Sequence, residues 1–375
     1  MMVEDHAYSV TVSPDHQHAN GEIDIASLHA QDSTGLLDQI DRAVVWDIPL
    51  TTPFRGITRR DGVLLHGPGG WGEVAPFWDY GSEASAPWLA AGLFQALGRA
   101  FLPRYRETIA VNVTVPEVGA EDAAEMVRSS GARTAKVKVS GRPEQRAADL
   151  ERLEAVRSAV GRAGKVRIDV NGAWDVDTAR ENLPRMDRAA GGLEYVEQPC
   201  AAVYDLADLR RSVDVPIAAD ESIRLSANPL EVVHRRAADV AILKVAPLGG
   251  VNRALDMAER LGLPAVVSSA LDTSVGIMAG ATLAFSLPSL SHACGLGTAR
   301  LLTQDVAEPS VVPHNGTLRL DAGAPVSERL LGEVKAGPYL TKHWETRLLH
   351  LAGALHARRQ REARDPSRAV AGLPL

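Results

Sequence analysis

From about residue 106 onward the chain repeats one alternation: a short apolar run, a polar turn, then a longer stretch in which Ala, Leu and Val recur three or four residues apart. The apolar runs are TIAVNVTV, TAKVKVS, KVRIDVNG, LEYVEQP, VPIAADES, VAILKVAP, LPAVVSSA and, more weakly, LSHACGLG. Runs of this length predict buried strands, and the segments between them, such as EDAAEMVRSS and PEQRAADLERLEAVRSAV, predict helices. With Asn112, Lys136, Asp169, Glu197, Asp220, Lys244 and Ser268 marking the strand ends, the steps are 24, 33, 28, 23, 24 and 24 residues, each about one βα unit. Eight such units predict an α/β fold closed as a barrel, with the polar strand ends gathered at its C-terminal mouth. A doubly wound open sheet is the alternative, because it shares the βαβ signature.

The pattern differs at both ends. RAVVWDIPL and GVLLHGPGGWGEVAPF read as antiparallel strands joined by Gly and Pro turns, and ASAPWLAAGLFQALGRAFL reads as a helix, giving a small α+β unit over residues 41–105. Residues 1–40 are polar and without a sustained period, which predicts a poorly ordered extension; its histidines His6, His16, His18 and His29 are potential metal ligands. The charged tail ARRQREARDPSRAVAGLPL is expected to fray from about residue 358.

Composition adds bounds to this picture. The 375 residues are 45% hydrophobic but only 5% aromatic, so the core is aliphatic, and the length suits one large domain plus a smaller one. The formal charge of −7, without a long basic run, argues against nucleic acid or an anionic membrane surface as the main partner. Cys200 and Cys294 have no CxxC spacing, which suggests reduced thiols. With no apolar run of 18 residues and no signal-peptide pattern, the expectation is a soluble cytoplasmic protein, its oligomeric state left open.

Charges at the strand ends carry the chemistry. In TAKVKVSG, alternation puts Lys136 and Lys138 on one face, about 6–7 Å apart. Asp169, Glu197 and Asp220 end the next three strands, and Lys244 ends the sixth. Singly, KVK reads as a solvated edge strand, DVNG as a turn and DES as a helix cap. Their ordered placement on successive strands reverses that reading. Three converging carboxylates would raise one another's pKa unless a cation lay between them, and an all-oxygen set selects Mg2+ before Mn2+ rather than zinc. Lysines on either side of such a site suggest proton abstraction next to a substrate carboxylate, with Lys138 as the base and Lys136 as its electrostatic helper. A Schiff-base aldolase and a non-catalytic carboxylate-binding protein are the readings from other classes.

Together KVK, DVNGAW, EQP, ADES and ILKVAPLGG resemble the enolase superfamily, and most closely its muconate-lactonizing subgroup, over residues 41–330. That resemblance implies a (β/α)7β TIM-like barrel over 106–330, under an α+β capping domain to which the C-terminal segment, 331–375, returns. GWGEVAPF, residues 70–77, is similar to the glycine-rich signature of that cap. Asp169, Glu197 and Asp220 would bind Mg2+, Lys138 would be the base and Lys244 would face it across the substrate. Lys244 on strand six disfavours the mandelate-racemase-like subgroup, which uses a His-Asp pair. FRGITRRDGVLLHGPGGWGEVAPFWDY and SSALDTSVGI resemble members that dehydrate a succinyl-bearing hydroxycyclohexadiene carboxylate in menaquinone biosynthesis. Racemization of N-succinylamino acids, dipeptide epimerization and muconate cycloisomerization are the rival reactions. The partner is thus a small dicarboxylate, and Arg55, Asn171, Ser268, Ser269 and the backbone at Gly295 are the expected substrate contacts.

Overall fold

The computed structural model describes residues 21–98, 102–319 and 323–364. The cap begins with three antiparallel strands, Arg42–Phe54, Ile57–Gly67 and Gly70–Val74, followed by the helix Ser82–Ala96. The first two strands pair in register from Arg42 opposite His66 to Phe54 opposite Ile57, with an irregularity between Pro49 and Phe54. Only Arg55 and Gly56 connect them, at φ 52° and 76°, the two positive values that a tight hairpin turn needs. Gly72 lies where the sheet meets the helix backbone: a Cβ there would sit 2.0 Å from the Gly92 carbonyl oxygen. This is the physical reason for glycine in GWGEV, and it leaves Glu73 buried and turned toward the barrel.

The long helix Pro338–Arg364 completes the cap. Trp344, Leu348, Leu351 and Leu355, spaced along one face, are at most 1% exposed and share a core with Leu65, Val74 and Leu89. Arg347 on the same helix donates to the Phe77 carbonyl (2.7 Å) and the Pro76 carbonyl (3.2 Å), fixing the segment that leaves the sheet. The helix runs through Arg364, beyond the fraying expected at 358, because Glu362 pairs with Arg358 (3.0 Å) and Arg253 (2.8 Å). The tail after 364 lies outside the described residues.

Residues 21–40 correct a second expectation. Rather than belonging to a poorly ordered extension, they form the helix Ile25–Gln31 and dock on the cap through Ile23, Leu28, Leu37 and Ile40. Four apolar anchors in a polar segment are enough, because Asp24 caps the helix by accepting from Ala26 and Ser27 N–H groups. His29 is used structurally, bonding the Ile40 carbonyl at 3.0 Å. The other three histidines lie outside the described residues.

The barrel strands are Val113–Val115, Thr134–Lys138, Lys165–Asp169, Leu193–Glu197, Ile217–Ala219, Val240–Leu243 and Ala265–Val267, parallel and adjacent in chain order. The first predicted run divides: Thr108–Ala110 pairs instead with Thr317–Arg319 outside the barrel sheet. The eighth run is only a pair of bridges. Cys294 donates to the Ala110 carbonyl (2.7 Å) and accepts from Asn112 N–H (2.9 Å), while Gly295 donates to the Val267 carbonyl (2.8 Å). These bonds join strand seven to strand one and close the ring. Inside it, Tyr195, Ala218, Val240, Ile242 and Val266 pack together, and the main core fills the layer between strands and surrounding helices. Cys200 and Cys294 are free and buried. Among the described residues no helix is long and apolar enough to cross a membrane.

Trp344 is fully buried and its indole N–H donates to Asp61 at 2.7 Å. Trp344→Ala is therefore expected to cost about 3–5 kcal/mol in urea denaturation. A loss under about 1 kcal/mol would show that the final helix is not part of the cap core.

Candidate active site

The strand register itself assembles the charges. Lys138 is the Cα partner of Asp169, and Asp169 is the partner of Glu197, so the three side chains share one level inside the barrel mouth. Asp220 follows strand five, and Lys244 follows strand six. Lys136 Nζ donates to Asp169 Oδ2 (2.9 Å) and to both oxygens of Glu197 (3.0 and 3.1 Å). Lys138 Nζ donates to Asp169 Oδ2 (2.6 Å) and to Asn171 Oδ1 (2.6 Å). Lys244 Nζ donates to Asp220 Oδ2 (2.5 Å), whose other oxygen accepts from Arg224 Nε (3.0 Å).

These environments drive the two same-face lysines apart. Burial works against the charge on Lys136, but Asp169 and Glu197 outweigh it and hold its pKa well above the usual lysine range. For Lys138 burial wins, aided by the Lys136 charge against the pull of Asp169, and its pKa is lowered. Asp220 is held down to about 2, since Arg224 and Lys244 overcome its burial. Glu197 is pushed up to about 7 by burial and by Asp169 beside it, despite Lys136.

Among the described residues no group of three carboxylate, histidine or cysteine side chains stands arranged around a common metal position. The reason is local: the Lys136 ammonium lies between Asp169 and Glu197, while Lys244 and Arg224 occupy both oxygens of Asp220. The donor chemistry nevertheless fits a hard divalent cation. Three carboxylates at most 1% exposed lie on consecutive strand ends, an all-oxygen donor set of the kind such a cation takes.

Above the charges is a cavity whose lining includes Lys136, Lys138, Asp169, Asn171 and Lys244. Phe54, Phe77, Trp88 and Leu271 cover it with apolar surface, and the ring centroid of Phe54, from the cap hairpin, stands 5.4 Å from Lys138 Nζ. Arg55 and Ser268 line it as well. Ser269 also faces it, but its hydroxyl is already bonded to the Gly295 carbonyl (2.6 Å) and to Thr298 Oγ1 (2.7 Å). Gly295 differs from expectation: its N–H is consumed by the Val267 carbonyl in closing the barrel, so it offers no donor to a ligand. Arg224 and Tyr80, which meet at 2.9 Å, were not singled out by the motifs; the only signal was an arginine four residues after Asp220.

Residues 119–325 match the model for the Enolase C-terminal domain-like family, and residues 45–96 match the Enolase N-terminal domain-like family. The chain belongs to the enolase superfamily. Within this superfamily it is 54% identical over 304 residues to an o-succinylbenzoate synthase of Thermobifida fusca, covering 80% of this chain and 93% of that protein. It is 48% identical over 306 residues to an o-succinylbenzoate synthase of Mycobacterium tuberculosis, covering 81% and 91%. A similar solved structure, a substrate-liganded L-Ala-D/L-Glu epimerase from Bacillus subtilis, has TM-score 0.64 at 27% identity over 76% of this chain and 96% of that one. The superfamily barrel and cap are thus both present in this chain.

One buried carboxylate joins the two. Glu73 of the cap accepts from Thr273 N–H (3.2 Å), Gly276 N–H (3.0 Å) and the Thr273 hydroxyl, at the start of the barrel helix Ser274–Ser286. Burial and nearby Asp272 push it up to about 8, against those hydrogen bonds. A carboxyl whose folded pKa exceeds its unfolded value binds its proton more tightly when folded. Its contribution therefore favours folding at low pH and is lost as the pH climbs from about 4.5 to about 8. Relative to wild type, Glu73→Gln should gain melting temperature between pH 5 and pH 9. A difference in thermal melts that does not vary over this range would show Glu73 ionised throughout.

Proposed function

We propose that this chain catalyses the syn-dehydration of 2-succinyl-6-hydroxy-2,4-cyclohexadiene-1-carboxylate to o-succinylbenzoate, a step of cytoplasmic menaquinone biosynthesis. The observation that carries the reading is the pairing of Lys138 and Lys244 across the covered cavity. They stand on strands two and six of an eight-membered ring, half the circumference apart, and both line the space. The 54% identity to a curated o-succinylbenzoate synthase favours dehydration over racemization or cycloisomerization by the same residues.

Lys138, disfavoured as an ammonium by burial and by Lys136, accepts the ring proton next to the carboxylate. Asn171 Oδ1 orients its amine. The same lysine then returns that proton to the hydroxyl leaving from the same face. One C–H and one C–O bond break, the ring gains a double bond and becomes aromatic, water departs and Lys138 ends as it began. Lys136, held cationic by Asp169 and Glu197, keeps those carboxylates in place. Lys244, fixed by Asp220, faces the opposite side of the ring as a cation and stabilises it by charge and by attraction to the π face.

Asp169, Glu197 and Asp220 would hold Mg2+, with Mn2+ able to substitute, and the bound ion would neutralise charge developing on the substrate carboxylate. A dicarboxylate and a divalent ion cancel in charge, so the site admits the two together at little electrostatic cost. Arg55 and Ser268 line the same cavity, which supports them as anchors of the succinyl carboxylate, and Phe54, Phe77 and Trp88 would shield the ring from water.

Purified protein supplied with Mg2+ and the cyclohexadiene substrate should form o-succinylbenzoate, detected by chromatography, and chelation should stop it until Mg2+ is restored. Lys138→Ala should lower kcat by about 10²–10⁴-fold. Lys244→Arg should still dehydrate, because that residue moves no proton, while any exchange of solvent deuterium from its face is lost. Absence of conversion by the Mg2+-loaded wild type would overturn the proposal.

A further inference from the structure

Arg224 ends the short helix Glu221–Arg224, and its side chain is only 3% exposed. Each of its three nitrogens has a separate acceptor. Nε donates to Asp220 Oδ1 (3.0 Å), Nη2 to Glu221 Oε1 (2.8 Å) and Nη1 to the phenol oxygen of Tyr80 (2.9 Å). The first two belong to the barrel mouth, and the third belongs to the cap.

Both barrel contacts lead to a lysine. Asp220 uses its other oxygen to accept from Lys244 at 2.5 Å. Glu221 Oε1 also accepts from Asn171 Nδ2 (3.1 Å), and Asn171 Oδ1 accepts from Lys138 (2.6 Å). One guanidinium is therefore linked to Lys244 through one residue and to Lys138 through two. On the cap side, the Tyr80 oxygen also accepts from Arg55 at 3.4 Å, and Arg55 lines the cavity from the hairpin tip. Tyr80 sits at the end of the segment that Arg347 fixes through the Phe77 carbonyl.

We infer that Arg224 and Tyr80 are positioning residues, a latch through which the seated cap sets both lysines at once. The inference rests on the dehydration proposed above and names residues that act through Lys138 and Lys244 rather than on the substrate. A guanidinium is a rigid planar fork, so its three directions are satisfied together only when all three acceptors are in place. Withdrawing Tyr80 leaves a buried charged N–H without its partner and frees the fork to rotate, which disturbs Asp220 and Glu221 in the same motion. Lysine at 224 retains the charge but not the fork.

Tyr80→Phe tests this directly, because it keeps the ring and deletes the acceptor. The expected result is a fall in kcat of about tenfold, the size of one charge-assisted hydrogen bond, with KM changing less. Arg224→Lys should lose at least as much, and the double variant should be no worse than Arg224→Lys alone, since one contact is removed twice. In ligand-free protein, amide hydrogen exchange of segments 50–58 and 76–82 should quicken in Tyr80→Phe, and kcat should fall at temperatures where the variant is fully folded, although the unpartnered N–H also lowers its melting temperature. A merely structural tyrosine would lower the melting temperature and leave kcat of the folded protein intact. Unchanged kcat and exchange in Tyr80→Phe, or additive losses in the double variant, would overturn the latch. Should Arg224→Lys fail to fold, the Tyr80→Phe measurements decide alone. If the wild type does not dehydrate the substrate, the functional proposal falls, and the ligand-free exchange comparison still decides whether Tyr80 holds the cap.

Discussion

Seven charged side chains meet in the mouth of this barrel with no more than 12% of any one exposed: Lys136, Lys138, Asp169, Glu197, Asp220, Arg224 and Lys244. Each would be costly to bury alone, and each is tolerated because an opposite charge lies within hydrogen-bonding distance. The strand register makes those meetings unavoidable, since Lys138, Asp169 and Glu197 stand opposite one another on adjacent strands. The aliphatic wall and the apolar underside of the cap keep water from weakening the pairings. The cluster is therefore strong but unforgiving: loss of one member strands its neighbour's charge in a dry place.

The same constraint explains why so much of the site was legible. Strands buried on both faces are written as continuous apolar runs, so a lysine or carboxylate at their ends stands out against Val, Ile and Ala. The regular steps between those charges were the barrel itself, read before any contact was known. Only the eighth strand was faint, because it consists of bridges at Cys294 and Gly295. For that reason too the loss of the Gly295 N–H to ring closure was invisible: nothing in CGLG says which backbone donors are already taken.

Other features were hidden by distance or by composition. Arg224 meets Tyr80 across 144 positions of sequence, and an arginine in the last turn of a helix looks ordinary on its own. Residues 21–40 look like an extension because four buried anchors are diluted among polar residues. The metal trio could be ordered along the chain, but which cations balance it could not: ammonium groups from strands two and six and a guanidinium share that task.

The cap draws its core from both ends of the chain, with Trp344, Leu348 and Leu351 packed against strands that begin at Arg42. A ribosome releases those ends far apart in time. The first cap strands emerge with a face of their core missing, and every barrel strand follows before the helix that covers that face is made. Closing so long a loop adds little cost, since the entropy grows only with the logarithm of its length. Vectorial synthesis thus delivers the strands of the lid first and the helix that completes their core last, so the cap over the charged mouth is finished only after every barrel strand has been made.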